Sequence, residues 1–275
     1  MSDTIIVGAG PAGMATALGL ASSGHAVTVV DEWSNPGGCL TYEPESSQSA
    51  PLRADLHAAV DHPGIELLTG TTVWATFPHA DGFEVHLNQA GMASVRIAAT
   101  LILATGTTDT VQPIPGGTLP GVFTERAFRI LVNRHHILPG RQIALVGGTA
   151  SSRLAADISR WKLDARVTNL STKSIATIDG ASHVERIALT NGTTVAADCV
   201  VLAQGEAPDL QLAGPLGLQP AYVAEHNAWF ADSIQPVPNM FLVGGALLGG
   251  SSWTALQQSV TDVVSALLAP SEISA

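Results

Sequence analysis

Apolar residues in this chain gather in short unbroken runs, and most of these runs end at a glycine or an acid. Ile5-Ile6-Val7, residues 26–30, Leu101-Ile102-Leu103-Ala104, residues 143–146, Cys199-Val200-Val201-Leu202-Ala203 and Met240-Phe241-Leu242-Val243 are all of this kind. A continuous apolar run bounded by turn residues predicts a strand buried on both faces, as in a parallel sheet covered by helices. Shorter strands are predicted at 64–68 and 165–170. Helical patterns alternate with the strands at 11–23, 52–60, 123–135, 152–162 and 253–268. Between 72 and 99 the pattern changes to three strand-like runs separated by Asp81-Gly82 and by residues 88–91, which predicts an antiparallel meander. A second hairpin is expected around Asn191-Gly192.

The element order repeats. Each half runs strand, helix, strand, meander and closing strand, and Pro113-Ile114-Pro115-Gly116-Gly117 is the natural link because it can continue neither regular element. The last strand and helix have no counterpart in the second half, so they are expected to return to the first. The predicted fold class is α/β: two Rossmann-like dinucleotide-binding domains with three ββα layers, the second inserted into the first. Residues 1–112 and 230–275 would form the first domain and 113–229 the second.

The turn after the first strand reads Gly8-Ala9-Gly10-Pro11-Ala12-Gly13. Gly8 permits the tight turn, Gly10 lets backbone N–H groups approach a pyrophosphate, and Gly13 lets the helix pack closely on the sheet. Pro11 and Ala12 open a helix whose N-terminus carries positive partial charge toward phosphates. Asp31, with Glu32 beside it, ends the second strand about twenty residues on, where a carboxylate accepts ribose hydroxyls. In the second half the corresponding positions read Gly147-Gly148-Thr149-Ala150-Ser151-Ser152, with Thr149 and Ser152 in place of glycines. A Cβ at Thr149 is expected to crowd the pyrophosphate, and Leu170 or Ser171 stands where the ribose-binding acid belongs. Only Lys173 follows as a cation, so NAD(P) binding is not expected there.

Composition narrows the partners. The net charge is −11 with no basic cluster, which argues against nucleic acid and anionic membrane surfaces. The two cysteines, Cys39 and Cys199, offer neither a disulfide framework nor metal-ligand spacing, so no metal is expected. No apolar run approaches a membrane span, and the first strand follows Met1 too closely for a signal peptide; the sequence reads as cytoplasmic.

These residues carry a resemblance. The fingerprint at Gly8 to Gly13, Asp31, Gly37-Gly38, Ala104-Thr105-Gly106, the second motif at Gly147 and Val243-Gly244 together resemble the pyridine nucleotide–disulfide oxidoreductase flavoproteins. Gly117-Thr118-Leu119-Pro120-Gly121-Val122 and Pro238-Asn239-Met240-Phe241-Leu242-Val243-Gly244 are more narrowly similar to the flavoprotein subunits of opine oxidases, hydrogen cyanide synthase and heteromeric sarcosine oxidase. The resemblance implies FAD in the first domain, with Gly8, Gly10 and Gly13 at the pyrophosphate, Asp31 at the ribose and the backbone of Val73 at the adenine. Ala104, Thr105 and Gly106 would pass close to the cofactor, Gly38 and Cys39 would lie near the flavin ring, and Gly244 and Gly245 would lie at the ribityl chain. Relatives carry Gly-Asp at this last pair. Gly245 forgoes a charge-assisted hydrogen bond worth roughly 1.5 to 3 kcal/mol, and the Gly249-Gly250-Ser251-Ser252 turn is expected to offer N–H groups instead.

Cys39 is the candidate for chemistry, but Leu40 to Ser49 contains no second cysteine, which excludes a dithiol relay within the chain. A small residue packed beside the cofactor is the plainer reading. Cys199 is expected in the core, His135-His136 at a helix C-terminus, and His226, Asn227 and Trp229 within reach of the flavin without forming a triad. Trp253 either stacks near the cofactor or fills the core. Three functions stay open: an FAD-dependent oxidoreductase, such as the flavoprotein subunit of a hetero-oligomeric amine or imino-acid (C–N bond) dehydrogenase or oxidase; an NAD(P)H-dependent flavin reductase without a redox dithiol; and a non-catalytic scaffold subunit. The partner would be a small-molecule substrate or an electron-donor subunit, in a hetero-oligomer or a homodimer.

Overall fold

The computed structural model describes residues 4–226, 228–250 and 252–269; Asn227 and Ser251 lie outside them. The chain divides into two compact units, one of residues 1–108 with 207–275 and one of residues 109–206.

The first unit is built on β1 (Thr4–Val7), α1 (Pro11–Ser22), β2 (Val27–Val30), α2 (Ala50–Val60) and β3 (Ile65–Leu68). A meander follows, β4 (Thr71–His79), β5 (Gly82–Gln89) and β6 (Met92–Ala98), and then β7 (Thr100–Leu103). Met240–Leu242 joins β7, giving a parallel five-stranded sheet in the order Met240–Leu242, β7, β1, β2, β3. The apolar strands are buried because both faces are covered. Ile6, Val29, Ile102 and Phe241 face Met14, Ala17 and Leu20 of α1 and Val263 of the last helix, Trp253–Leu268. Ile5, Val30, Leu101 and Leu103 face Phe83, Val85 and Leu87 of the meander. Helix, parallel sheet and meander make the three layers.

The second unit repeats the scheme. Its parallel sheet runs in the order Arg166–Leu170, Gln142–Gly147, Cys199–Ala203, Val122–Thr124. Helix Thr149–Trp161 covers one face through Leu154 and Ile158. Strands Ile175–Asp179, Arg186–Leu189 and Thr194–Ala196 cover the other through Ile178 and Ile187.

Three expectations are corrected. Residues 207–229 belong with the first unit, because Ala213, Leu216 and Leu218 bury against Phe83, Val85 and Leu87, and Thr76 Oγ1 donates to the Leu212 carbonyl. Residues 109–112 belong with the second, where Thr110 N donates to Gly205 O at 2.9 Å. The helix expected over 123–135 begins only at Glu125: Phe123 and Thr124 form an edge strand on Val201 and Leu202. That helix then passes from α to π geometry at Ile130–Arg134, ending at His135.

Candidate cofactor site

The first fingerprint glycine turns the chain out of β1 at φ +109°, and an added Cβ would run into the carbonyl of Ala104 at the end of β7. Gly13 lies one helical turn later, and a Cβ there would run into the carbonyl of Gly8. Both glycines are therefore demanded by the protein's own packing. Gly10 is different. Its backbone is extended, with φ −74° and ψ −179°, and a Cβ would meet only the Cα of Gly38 at 4.0 Å. Neither strain nor packing requires glycine at position 10, and what it preserves is room beside the turn. No side chain caps the first turn of α1, where Pro11, Ala12 and Gly13 are buried, so its N–H groups lie next to that room.

Asp31 closes the cradle. Its Oδ2 accepts from Ala9 N at 2.6 Å and its Oδ1 from Trp33 N at 2.8 Å, which holds the carboxylate beside the glycine turn. Each oxygen retains a lone pair for a hydroxyl. Thr71 N donates to Asp31 O at 2.9 Å and Gly70 N to Trp33 O at 3.0 Å, which brings the start of β4, and so Val73, to the tip of β2. Glu32 is exposed beside it.

Gly38 and Cys39 lie in a short turn, Gly38–Thr41, tied to the fingerprint by a 2.7 Å bond from Gly37 N to Ala9 O. A Cβ at Gly38 would come within 3.0 Å of the Cα of Gly10, so this glycine serves backbone contact within the protein. Cys39 is half-buried. Ala104 N donates to Val7 O at 2.8 Å; Thr105 Oγ1 donates to Asp209 O at 2.7 Å, and Asp209 N to Gly106 O at 3.0 Å. Gly244 sits over the first turn of α1, where a Cβ would lie 2.5 Å from that of Ala12. Its N–H donates at 3.0 Å to the buried Ser259 Oγ of the last helix. Ser259 was not foreseen from the sequence; the only signal is a hydroxyl on the apolar stripe of an otherwise ordinary helix.

Gly245 has a structural reason the sequence did not show. A Cβ there would stand 2.9 Å from Thr107 Cγ2 and 3.0 Å from the carbonyl carbon of Gly106. A side chain at position 245 would therefore crowd Thr107 and Gly106. Trp229 is exposed and its ring lies tilted against Tyr222 at 5.4 Å between centroids, and His226 lies tilted against Phe230 at 5.4 Å, so both rings engage their own hairpin. Cys199 is fully buried, and burial with the neighbouring Asp198 pushes its thiol up to about 12. Among the described residues no group of three His, Cys, Asp or Glu side chains could hold a metal, and no helix is long and apolar enough to cross a membrane.

Strand registers and helix starts align the two fingerprints with one residue fewer in the second. Gly147 matches Gly8, since its Cβ would run into the carbonyl of Ala203 as that of Gly8 would into Ala104. The helix then starts at Thr149, after one intervening residue instead of two. Gly148 therefore corresponds to Gly10, and a Cβ there would meet nothing within 4 Å. Ser151, buried with its Oγ donating to Gly148 O at 2.7 Å, corresponds to Gly13, whereas Ser152 is exposed. The expectation that Thr149 crowds a pyrophosphate is thus corrected: Thr149 is the first helical residue, matching Pro11. Val7 pairs with Val30 and Val146 with Leu170, which makes Ser171 the counterpart of Asp31.

Known proteins agree with this architecture. An opine oxidase subunit from Rhizobium meliloti (strain 1021) is 34% identical over 53% of this chain and 33% of its own length. The sarcosine oxidase alpha subunit of the same organism is 27% identical over 89% of this chain and 28% of its own. The chain thus spans about a third of the length of these relatives. Among solved structures, L-proline dehydrogenase from P. horikoshii superposes with a TM-score of 0.84 at 20% identity, covering 97% of this chain and 55% of that one. Residues 2–170 match the pyridine nucleotide-disulphide oxidoreductase family, and the chain belongs to it.

Proposed function

We propose that the chain is an FAD-dependent oxidoreductase that serves as the flavoprotein subunit of a hetero-oligomeric enzyme oxidising C–N bonds of amines or imino acids. The observation that carries the cofactor is the room kept at Gly10 beside the uncapped first turn of α1, with Asp31 held next to it by Ala9 and Trp33. These residues fit a dinucleotide. The N–H groups of the turn would meet the pyrophosphate, Asp31 would accept the adenosine ribose hydroxyls, and the Val73 backbone would border the adenine. Bound there, FAD supplies a two-electron acceptor for hydride transfer. Thr105 and Gly106, held by Asp209, would border the cofactor beyond the end of β7. Gly245 contributes no side chain, so the first turn and Asp31 carry a larger share of cofactor affinity than in relatives with an acid at this position.

The substrate class draws support from the relatives, whose names specify an opine and sarcosine, both secondary amines, and designate each protein a subunit. The partner would then hold the remaining substrate contacts or take the electrons onward. The test is to purify the chain, measure flavin absorbance, and mix it anaerobically with a panel of secondary amines while mass analysis searches for a companion chain. Bleaching by an amine supports the reading. A flavin that no amine reduces, alone or with its companion, removes the substrate class.

A further inference from the structure

The second unit keeps the sheet and helix of a nicotinamide dinucleotide domain, but its residues do not fit that ligand. In an open α/β sheet a dinucleotide lies outside the carboxyl ends of the strands, across the central strand's turn. Here the central strand is Gln142–Gly147, flanked by Arg166–Leu170 and Cys199–Ala203. Gln204, the first residue after Cys199–Ala203, donates from Nε2 to Thr172 Oγ1 at 3.2 Å, and Thr172 lies just beyond Arg166–Leu170. Its Oε1 accepts from Gln112 N at 2.5 Å. The side chain therefore spans the two strands that flank the central one, pinned at both of its polar ends.

We infer that Gln204 is a strap that closes this crevice to NAD(P)H, and that the second unit is not the electron entry site. Two local features act together. Displacing the strap requires breaking two hydrogen bonds, each setting the equilibrium back by a few-fold to about tenfold. At the end of Arg166–Leu170 the counterpart of Asp31 is Ser171, whose single neutral oxygen replaces the two charged oxygens a carboxylate offers to ribose hydroxyls. The first unit has no such strap: Thr105, the counterpart of Gln204, turns its hydroxyl to the Asp209 carbonyl.

The inference concerns the second unit alone and is tested without reference to the flavin, by the fluorescence of NADH and NADPH on titration with the purified full-length chain. The natural protein should show no saturable binding below about 1 mM. Gln204→Ala, which removes both bonds, should bind at least about tenfold more tightly, and Thr172→Val, which keeps the shape but removes one acceptor, a few-fold to about tenfold more tightly. Micromolar binding by the natural protein overturns the inference. So does a folded pair of variants that bind no better than it. If Gln204→Ala melts early, the isosteric Thr172→Val decides alone.

Discussion

Replacing Gly10 with alanine separates what the fold needs from what the cofactor needs. The backbone at Gly10 lies in a region any residue adopts, and the new methyl would meet protein only at the Cα of Gly38, 4.0 Å away. Glycine to alanine at such a position stabilises by about 0.4 to 1 kcal/mol through the unfolded state. The apo protein should therefore melt at the same temperature as the natural chain or slightly above it. The methyl would stand in the room proposed for the pyrophosphate, where overpacking costs about 1 to 3 kcal/mol, or roughly fivefold to 150-fold in FAD affinity. Gly13→Ala is the control. Its methyl faces the carbonyl of Gly8, and it should lower apo stability by more than about 1 kcal/mol. Thermal unfolding of the flavin-stripped proteins and FAD titration of each would settle the matter. A Gly10→Ala protein that binds FAD like the natural chain, or one destabilised as much as Gly13→Ala, would show that position 10 keeps no room for the cofactor.

Other substitutions probe the remaining parts of the account. Gly245→Asp should cost about 1 to 3 kcal/mol of stability and gain no FAD affinity, because its Cβ would crowd Thr107 and Gly106; a tighter-binding, equally stable variant contradicts this. Under native conditions a thiol reagent should spare Cys199, whose buried thiol is pushed up to about 12, and Cys199→Ser should leave the native labelling unchanged. Burial holds the Glu125 carboxyl above its usual range despite Arg129. A raised carboxyl binds its proton more tightly folded than unfolded, so its unfavourable contribution is fully present at neutral pH and disappears as pH falls through that raised value. Relative to Glu125→Gln, the natural protein should therefore gain stability on the acid side in urea titrations, and a difference that runs the other way with pH rules this out.

Much of the first unit is legible in the sequence because its information is local. A buried parallel strand must be apolar throughout, and the glycines at 8 and 13 meet backbone atoms that no side chain could share space with, so β1, the turn and α1 announce themselves. The last helix follows from its apolar spacing and runs from Trp253 to Leu268. What stays hidden depends on partners distant in sequence. Phe123 and Thr124 are a strand only because Val201 and Leu202 pair with them. Ala213, Leu216 and Leu218 carry no period, yet the β5 side chains bury them and move the unit boundary to residue 207. The second fingerprint fails for another reason: Gly147-Gly148-Thr149-Ala150-Ser151-Ser152 can be read in two frames, and only the helix start at Thr149 selects the shorter turn. Gln204, likewise, is an ordinary polar residue until Thr172 and Gln112 are seen at its ends.

The first unit is proposed to hold FAD and to take electrons from a substrate rather than from a nicotinamide. The most direct measurement is the visible spectrum of the purified chain, with any companion chain present, before and after anaerobic addition of NADH or NADPH. A flavin spectrum that neither nucleotide bleaches is expected; a colourless protein that takes up no FAD, or a flavin promptly bleached by either nucleotide, rules this assignment out.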